Sequence, residues 1–347
     1  MREENLNNDG MDFYYQRREK EEKPVLSNLA GNIISTEVFR SYWEFAFERQ
    51  KVMWKRINNE RQPWTYDKII QQHRFTNVFR VEDRVSQYLI KNVIYEGDQK
   101  VEEVFFRIIL FKIFNKIFTW ESLKENIRQI KWSEYDYNTY NSILDELFYN
   151  KKTIYSAAYL MPSANRVFNK KRKHSNHLKL IEMMMAEKLP SKISESKSME
   201  EVYNLLLSYP SLGNFLAFQY TIDINYSNIS DFDENDFVIA GPGAKDGIIK
   251  CFEDIGNYSY EDIIRMVCEN QDQYFKEINR DPVNLFGRKL KLIDCQNLFC
   301  EIGKYARVKF PHRTTKSNRT RIKQKYLPKQ KTFNLWFPPK WHLNENL

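Results

Sequence analysis

Between residues 101 and 118 apolar side chains cover most of the circumference of a helix, and a helix that is apolar on nearly every side must be enclosed by other elements. That one stretch predicts a centrally buried helix. The rest of the chain agrees: 10 Gly and 11 Pro are few for 347 residues, which argues for long helices and against a sandwich of short strands. Thr36 is a suitable N-cap for a helix whose stripe runs through Phe39, Tyr42, Trp43, Ala46, Phe47 and Trp54. Pro63 is expected to open the next helix, and residues 77–93 a further one, with Val78, Val81, Val85, Tyr88 and Leu89 on one face. Residues 199–209, 212–224 and 261–278 read as helices, 168–179 as a basic loop and 191–198 as a polar linker.

The expected fold is therefore all-α, two-lobed, with a cleft between the region 43–84 and the region 212–305. Residues 1–30 lack an apolar period and are expected to form a flexible polar arm, helical in part over 11–22. Residues 31–305 form the helical body and 306–347 a basic, aromatic C-terminal segment. From 302 to 344 there is no Asp or Glu, while Lys304, Arg307, Arg313, Arg321, Lys323 and Lys325 accumulate. Such a block either stays solvated or binds polyanions, and its interleaved aromatics, among them Trp336, Phe337 and Trp341, suggest that it folds back in part. The net charge of +8 favours the same kind of partner.

The four cysteines have no C-x-x-C pair and no metal-ligand spacing, so no metal or cofactor is expected. No apolar run approaches the ~20 residues of a membrane span, and the N-terminal residues lack the pattern of a secretory signal. A cytoplasmic monomer is expected. His174 and His177 lie in the basic loop, without a nearby carboxylate, and read as solvated or phosphate-contacting.

Gly241-Pro242-Gly243-Ala244-Lys245-Asp246-Gly247 looks like a helix-hairpin-helix turn whose bare backbone N–H groups and Lys245 could hold a DNA phosphate; an ordinary tight turn before a helix explains it equally. The Walker pattern is missing. Asp294 follows Leu292-Ile293 at a helix start. It is either a cap or a carboxylate facing the charge that develops on a deoxyribose as its base departs. No lysine before it stands out as a Schiff-base nucleophile, so a water-using enzyme is favoured over a lyase. Asn77, Arg80 and Arg84 are spaced to share a helical face, with Asp83 beside them, and could grip a ligand or form a salt-bridge cluster. Gln219 and Asp223 are polar intrusions on an apolar helix that need partners if buried.

The ordered set Tyr42-Trp43-x-Phe45, Pro63-Trp64-Thr65-x-Asp67, Arg74-Phe75-Thr76-Asn77-Val78-Phe79-Arg80 and Asp83-Arg84-Val85-Ser86-Gln87 resembles the helical domain attached to phage 5-hydroxymethyldeoxyuridine DNA kinases. Its relatives include the alpha-glutamyl/putrescinyl thymine pyrophosphorylases. The likeness continues through Leu212-Gly213-x-Phe215, Gly241-Pro242-Gly243-Ala244 and Asp294-x-x-Asn297-x-x-Cys300-Glu301, with Lys304-Tyr305. Some standalone members resemble anti-phage DNA glycosylases acting on glucosylated hydroxymethyl pyrimidines, and the chain, lacking a kinase motif, is expected to be of that kind. The resemblance implies phage DNA carrying modified bases as partner. A flipped base would stack on Trp43, Trp64 or Phe75 and be read by Asn77, Gln219, Asp223 or Asn297. Asp294 would support cleavage, with Asp83, Asp223 and Glu301 as the next acids; Gly241, Gly243, Ala244, Lys245, Gly247, Lys304 and Arg307 would hold the backbone. Two alternatives stand beside base excision. One is a hypermodification enzyme that binds a phosphorylated hydroxymethyl group through Arg80 and Arg84, and the other is a DNA-binding module without catalysis.

Overall fold

The computed structural model describes residues 33–327 and 334–347. The expected arm at 1–30 lies outside the described residues. The apolar run forms a helix over Val101–Phe114, here α4, and it is buried along almost its whole length. It stops where Asn115 takes a left-handed conformation (φ 47°), and a new helix, Ile117–Asn126 (α5), follows at once. Elements preceding α4 are a short strand Ile34–Ser35 (β1), the helices Glu37–Ile57 (α1), Lys68–Gln72 (α2) and Arg84–Leu89 (α3), and a π-helical turn, Ile90–Ile94. Those after α5 are Tyr137–Tyr149 (α6), Asn165–Phe168 (α7), Lys173–Ala186 (α8), Leu189–Glu195 (α9), Met199–Leu207 (α10), Asn214–Asn225 (α11), Pro242–Cys251 (α12), Tyr260–Glu269 (α13), Gln271–Glu277 (α14) and Leu292–Lys309 (α15). Strand β2, Phe252–Asp254, pairs antiparallel with β1 in a small two-stranded sheet, so the protein is all-α in class.

The helices sort into two packed groups. In one, α4 is enclosed by α8, α9, α11 and the π-helical turn; in the other, α15 packs on α12, α1 and α13. Thr36 caps α1 as expected, its Oγ1 accepting from the Val38 N–H at 3.1 Å while its own hydroxyl donates to the Lys250 carbonyl at 2.6 Å. One side chain thus starts α1 and ties it to α12.

The glycines of residues 241–247 have a use that differs from the one expected. A 16-residue loop, 226–241, separates α11 from α12, so no short hairpin joins two helices here, and none of Gly241, Gly243 or Gly247 has positive φ. A Cβ on Gly247 would lie 1.8 Å from the Phe299 carbonyl oxygen, and one on Gly243 2.3 Å from Cys300 Sγ. These positions are bare so that the backbone of α12 can lie directly on α15, where Gly303 in turn meets Gly247. Close helix packing accounts for Gly243 and Gly247, while a Cβ on Gly241 would meet the Phe215 ring at 2.7 Å.

Several local expectations are corrected. The helix after Pro63 begins only at Lys68, where Asp67 accepts from the Ile69 and Ile70 N–H groups. Residues 168–179 are largely helical, because Lys173-His174 open α8, and residues 191–195 belong to α9. The stretch 261–278 divides into α13 and α14. His174 and His177 are buried, not solvated: His174 Nε2 meets Asp145 at 3.0 Å, and His177 is held between Tyr155 and the Pro162 carbonyl. The helix expected over 77–93 is interrupted. A 3₁₀ turn, Arg80–Glu82, ends at Asp83, whose extended backbone (φ −66°, ψ 140°) restarts the chain as α3.

The C-terminal segment does fold back. Leu335 and Phe337 are buried, the Trp336 N–H donates to Gln87 Oε1 at 2.7 Å, and Trp341 lies against Tyr226 with the Arg288 guanidinium 4.0 Å from its ring centroid. Among the described residues no helix is long and apolar enough to cross a membrane.

Candidate functional site

The interruption at Asp83 sends the side chains of Arg80, Glu82 and Asp83 to three different surroundings. Arg80 turns inward to α11, where its Nε donates to Gln219 Oε1 at 3.1 Å, Nη1 to the Tyr226 hydroxyl at 3.1 Å and Nη2 to Asp223 Oδ1 at 2.9 Å. The other Asp223 oxygen faces Lys112 Nζ of α4 at 2.9 Å, and Lys112 also donates to Asn115 Oδ1. All of these side chains are within a few per cent of complete burial. Burial works against the charge on Arg80, but Asp223 and the Tyr226 and Tyr159 hydroxyls outweigh it; burial likewise lowers Lys112, and Asp223 pulls it back. Such a triad is expensive to desolvate and strongly destabilising to break, by about 3–5 kcal/mol when one partner is lost. It fixes three segments of chain against one another behind Asp83.

Glu82 points to the other side, accepting from Gln50 Nε2 at 3.0 Å with no exposure to solvent. Burial pushes its carboxyl up to about 8, helped by the negative charges of Asp294 and Asp83. A carboxyl raised in the native state contributes an unfavourable term that is absent below its unfolded value of 4.5 and complete above 8. Asp83 and Asp294, both raised to about 6 from 3.8, act in the same direction. Stability should therefore fall as pH rises from about 5 to 8. A Glu82→Gln variant should match the parent near pH 5 and melt several degrees higher near pH 8.5; equal melting temperatures at both ends would contradict the buried charge.

Asp83 itself is partly buried. One oxygen accepts the Asn77 N–H at 2.9 Å. Its carboxyl is raised by burial and by Glu301, against the Asn77 hydrogen bond and the charges of Arg80 and Arg49. Asn77 is held by Arg49 Nη2 at 3.0 Å and donates to the Glu82 carbonyl, so it orients the turn. Glu301 accepts the Thr76 N–H at 3.1 Å and pairs with Lys304 Nζ at 2.6 Å. Tyr159, raised to about 12 by burial with Asp83, Asp223 and Cys300 adding to it, closes the other side; its ring stacks on Phe215 at 5.6 Å and 12°. The face of α15 that carries Asn297, Cys300, Glu301 and Lys304 meets this turn.

The structure thus brings Asn77, Asp83, Lys304 and Glu301 together, with Arg80, Gln219 and Asp223 as the buried support. It places the others elsewhere. Asp294 is 3% exposed and both of its oxygens are occupied, Oδ1 by the Arg80 N–H at 2.7 Å and Oδ2 by the Lys291 N–H at 3.0 Å. It is the third residue of α15 in a reciprocal cap with Lys291, not the cap residue, and it locks the 3₁₀ turn to that helix. Trp43 is fully buried between Tyr274 and Phe275, and Trp64 donates its Nε1–H to the Glu60 carbonyl, so neither faces Asp83. Phe75 packs on Phe45 and Tyr305 with Lys304 Nζ 5.6 Å from its ring centroid. Arg84 is exposed, and Arg80 and Arg84 do not share a face, because the helix breaks between them. Ala244 is buried, Lys245 is exposed with its ammonium 5.3 Å from the Tyr260 ring centroid, and Arg307 lies 3.8 Å from Asp246.

Tyr159, Phe215, Cys300, Lys112 and Tyr226 were not singled out as site residues. Tyr159 lies in an irregular stretch at φ 56°, where no periodicity marks it; Lys112, a lone cation inside an apolar helix, carried a signal that could have been paired with Asp223. Among the described residues no group of His, Cys, Asp and Glu is arranged to hold a metal ion.

The chain matches, over residues 36–315, the family described as 5-hmdU DNA kinase, helical domain, and it belongs to that family. A curated protein, the 5-hmdU DNA kinase of Bacillus phage SP10, is 25% identical over 291 residues, which cover 78% of this chain. The matched region is 45% of that relative, so the chain spans less than half of its length. No solved structure matches the chain.

Proposed function

We propose that this protein recognises a 5-hydroxymethyl pyrimidine in DNA, and that Asp83 accepts the hydroxyl proton as the hydroxymethyl oxygen attacks the γ-phosphorus of ATP and ADP leaves. The observation that carries the reading is the state of Asp83: a partly buried carboxylate with one oxygen committed to Asn77, raised to about 6, next to the Arg80–Asp223–Lys112 support. An acid with that value is ionised at neutral pH yet basic enough to accept a hydroxyl proton. Lys304 supplies positive charge beside Glu301, and the Tyr159–Phe215 pair offers an aromatic surface for an everted base. Thr76 Oγ1 and Asn297 Nδ2 have no hydrogen-bond partner among the described residues, a capacity that a polar base edge would satisfy. The kinship with a protein named as a kinase of 5-hmdU DNA supports the substrate class.

Base excision is the second reading, and one observation favours it: a single partly buried acid beside polar groups also suits an N-glycosidic bond, and the chain contains no Walker loop for a triphosphate. In that reading Asp83 replaces Asp294, whose oxygens are taken. Both are tested by incubating the protein with duplex DNA containing 5-hydroxymethyluracil, with and without ATP. Nucleoside mass spectrometry showing a heavier base on an intact strand is the expected result. Free base with alkali-labile sites would select excision. Unchanged DNA under both conditions would sink the proposal.

A further inference from the structure

We propose that the groove between the end of α15 and residues 320–325 is a track for the DNA phosphate backbone, leading to Asp83. The proposal rests on DNA being the substrate. The groove has a volume of about 630 Å³; Arg307, Arg321, Lys323 and Lys325 line it, with His73 and Ile322, and no carboxylate does.

Its outer wall is built, not loose. The Arg74 N–H donates to the Gln324 carbonyl at 3.1 Å and the Tyr326 N–H to the Gln72 carbonyl at 2.9 Å, so the segment lies as an antiparallel edge along residues 72–74, with His73 opposite Lys325. Ile322, 5% exposed, is its anchor. Arg321, Lys323 and Lys325 alternate along this extended stretch, which sends them to one side in a row about 6–7 Å apart. All three are exposed, and among the described residues none is paired with a carboxylate. A fixed row of unpaired cations at that spacing suits a polyanion with regular charges, and a free solvated tail would have no reason to be hydrogen-bonded along its length.

The groove shares both walls with the site. On α15, Lys304 lies about one turn before Arg307, roughly 4.5 Å along the axis, and Glu301 the same distance before Lys304. On the other wall, His73 is three residues before Thr76, whose N–H is bound by Glu301. A strand lying on the three exposed cations would therefore pass Lys304 on its way to Asp83.

The test is an Arg321→Gln/Lys323→Gln/Lys325→Gln variant of the full chain, compared with a Lys152→Gln/Lys170→Gln/Lys171→Gln control that removes equal charge from exposed positions elsewhere. Fluorescence anisotropy with a labelled duplex containing thymine, and one containing 5-hydroxymethyluracil, is read from 50 to 200 mM salt. The groove variant should bind at least tenfold more weakly and lose about two to three from the slope of log affinity against log salt, since each phosphate contact contributes about 0.9. The control should keep both. An unchanged slope in the groove variant, an equal loss in the control, or displacement of the duplex by polyglutamate at equal charge would overturn the track. The thymine duplex separates the two proposals: weak binding of both duplexes by the groove variant leaves the track standing even if the parent protein leaves 5-hydroxymethyluracil unaltered.

Discussion

Replacing Asp83 by asparagine should reduce turnover of 5-hydroxymethyluracil DNA by about 10²–10⁴-fold while leaving duplex affinity within a few-fold of the parent. The expectation follows from geometry. Asparagine keeps an oxygen for the Asn77 N–H at 2.9 Å, so the turn between Arg80–Glu82 and α3 is retained, and only the basic oxygen is lost. The parent's rate should also fall below about pH 6, because burial and Glu301 raise the carboxyl to that value and protonation removes the form that accepts a proton. An Asp294→Asn variant is the informative comparison. It disturbs the cap that receives the Arg80 and Lys291 N–H groups, so it should melt at a lower temperature while its folded fraction turns over at near the parental rate. If instead Asp294→Asn stops turnover with an unchanged melting curve and Asp83→Asn is fully active, the assignment of roles is reversed.

The second large effect concerns the glycines of α12. Gly247→Ala should prevent stable folding or cost more than about 4 kcal/mol, beyond the usual range for overpacking, because the added Cβ would sit 1.8 Å from the Phe299 carbonyl oxygen. Both contacting groups are main chain, so α12 and α15 would have to move apart. Gly243→Ala should be milder, since its 2.3 Å neighbour is Cys300 Sγ, the tip of a side chain that can rotate. Thermal melting of the two variants settles this. A Gly247→Ala protein that melts like the parent but no longer binds DNA would restore the phosphate-binding reading of the motif.

That motif illustrates where sequence reasoning succeeds and where it stops. The buried α4 and the Thr36 cap were legible because each depends on local pattern: apolar residues round a helix, or one hydroxyl before the first turn. The need for bare backbone at 241–247 was legible too, but its partner was not. A glycine needed against a phosphate and a glycine needed against another helix leave the same mark on a sequence. The same holds for acids at helix starts: Asp294 and Asp83 both stand before or within a first turn, and only tertiary contacts decide which is saturated. The break at Asp83 escaped the apolar periodicity of 77–93 because Val78, Val81 and Leu89 are buried, and Val85 partly so, whether or not the helix is continuous. Residues 168–179 misled in the opposite direction, since their charge suggested a loop while His174 and His177 were folding inward.

Asp223, shared between Arg80 and Lys112, has a consequence for how such a protein can change over generations. Two positions far apart in the gene, Arg80 and Lys112, answer to one carboxylate, so an uncharged replacement at any of the three strands a charge in the interior and is expected to be selected against. Diversification towards a new base is expected beside Asp83 instead, at Tyr159 and Asn297, where an exchange alters what is gripped without unseating what does the gripping.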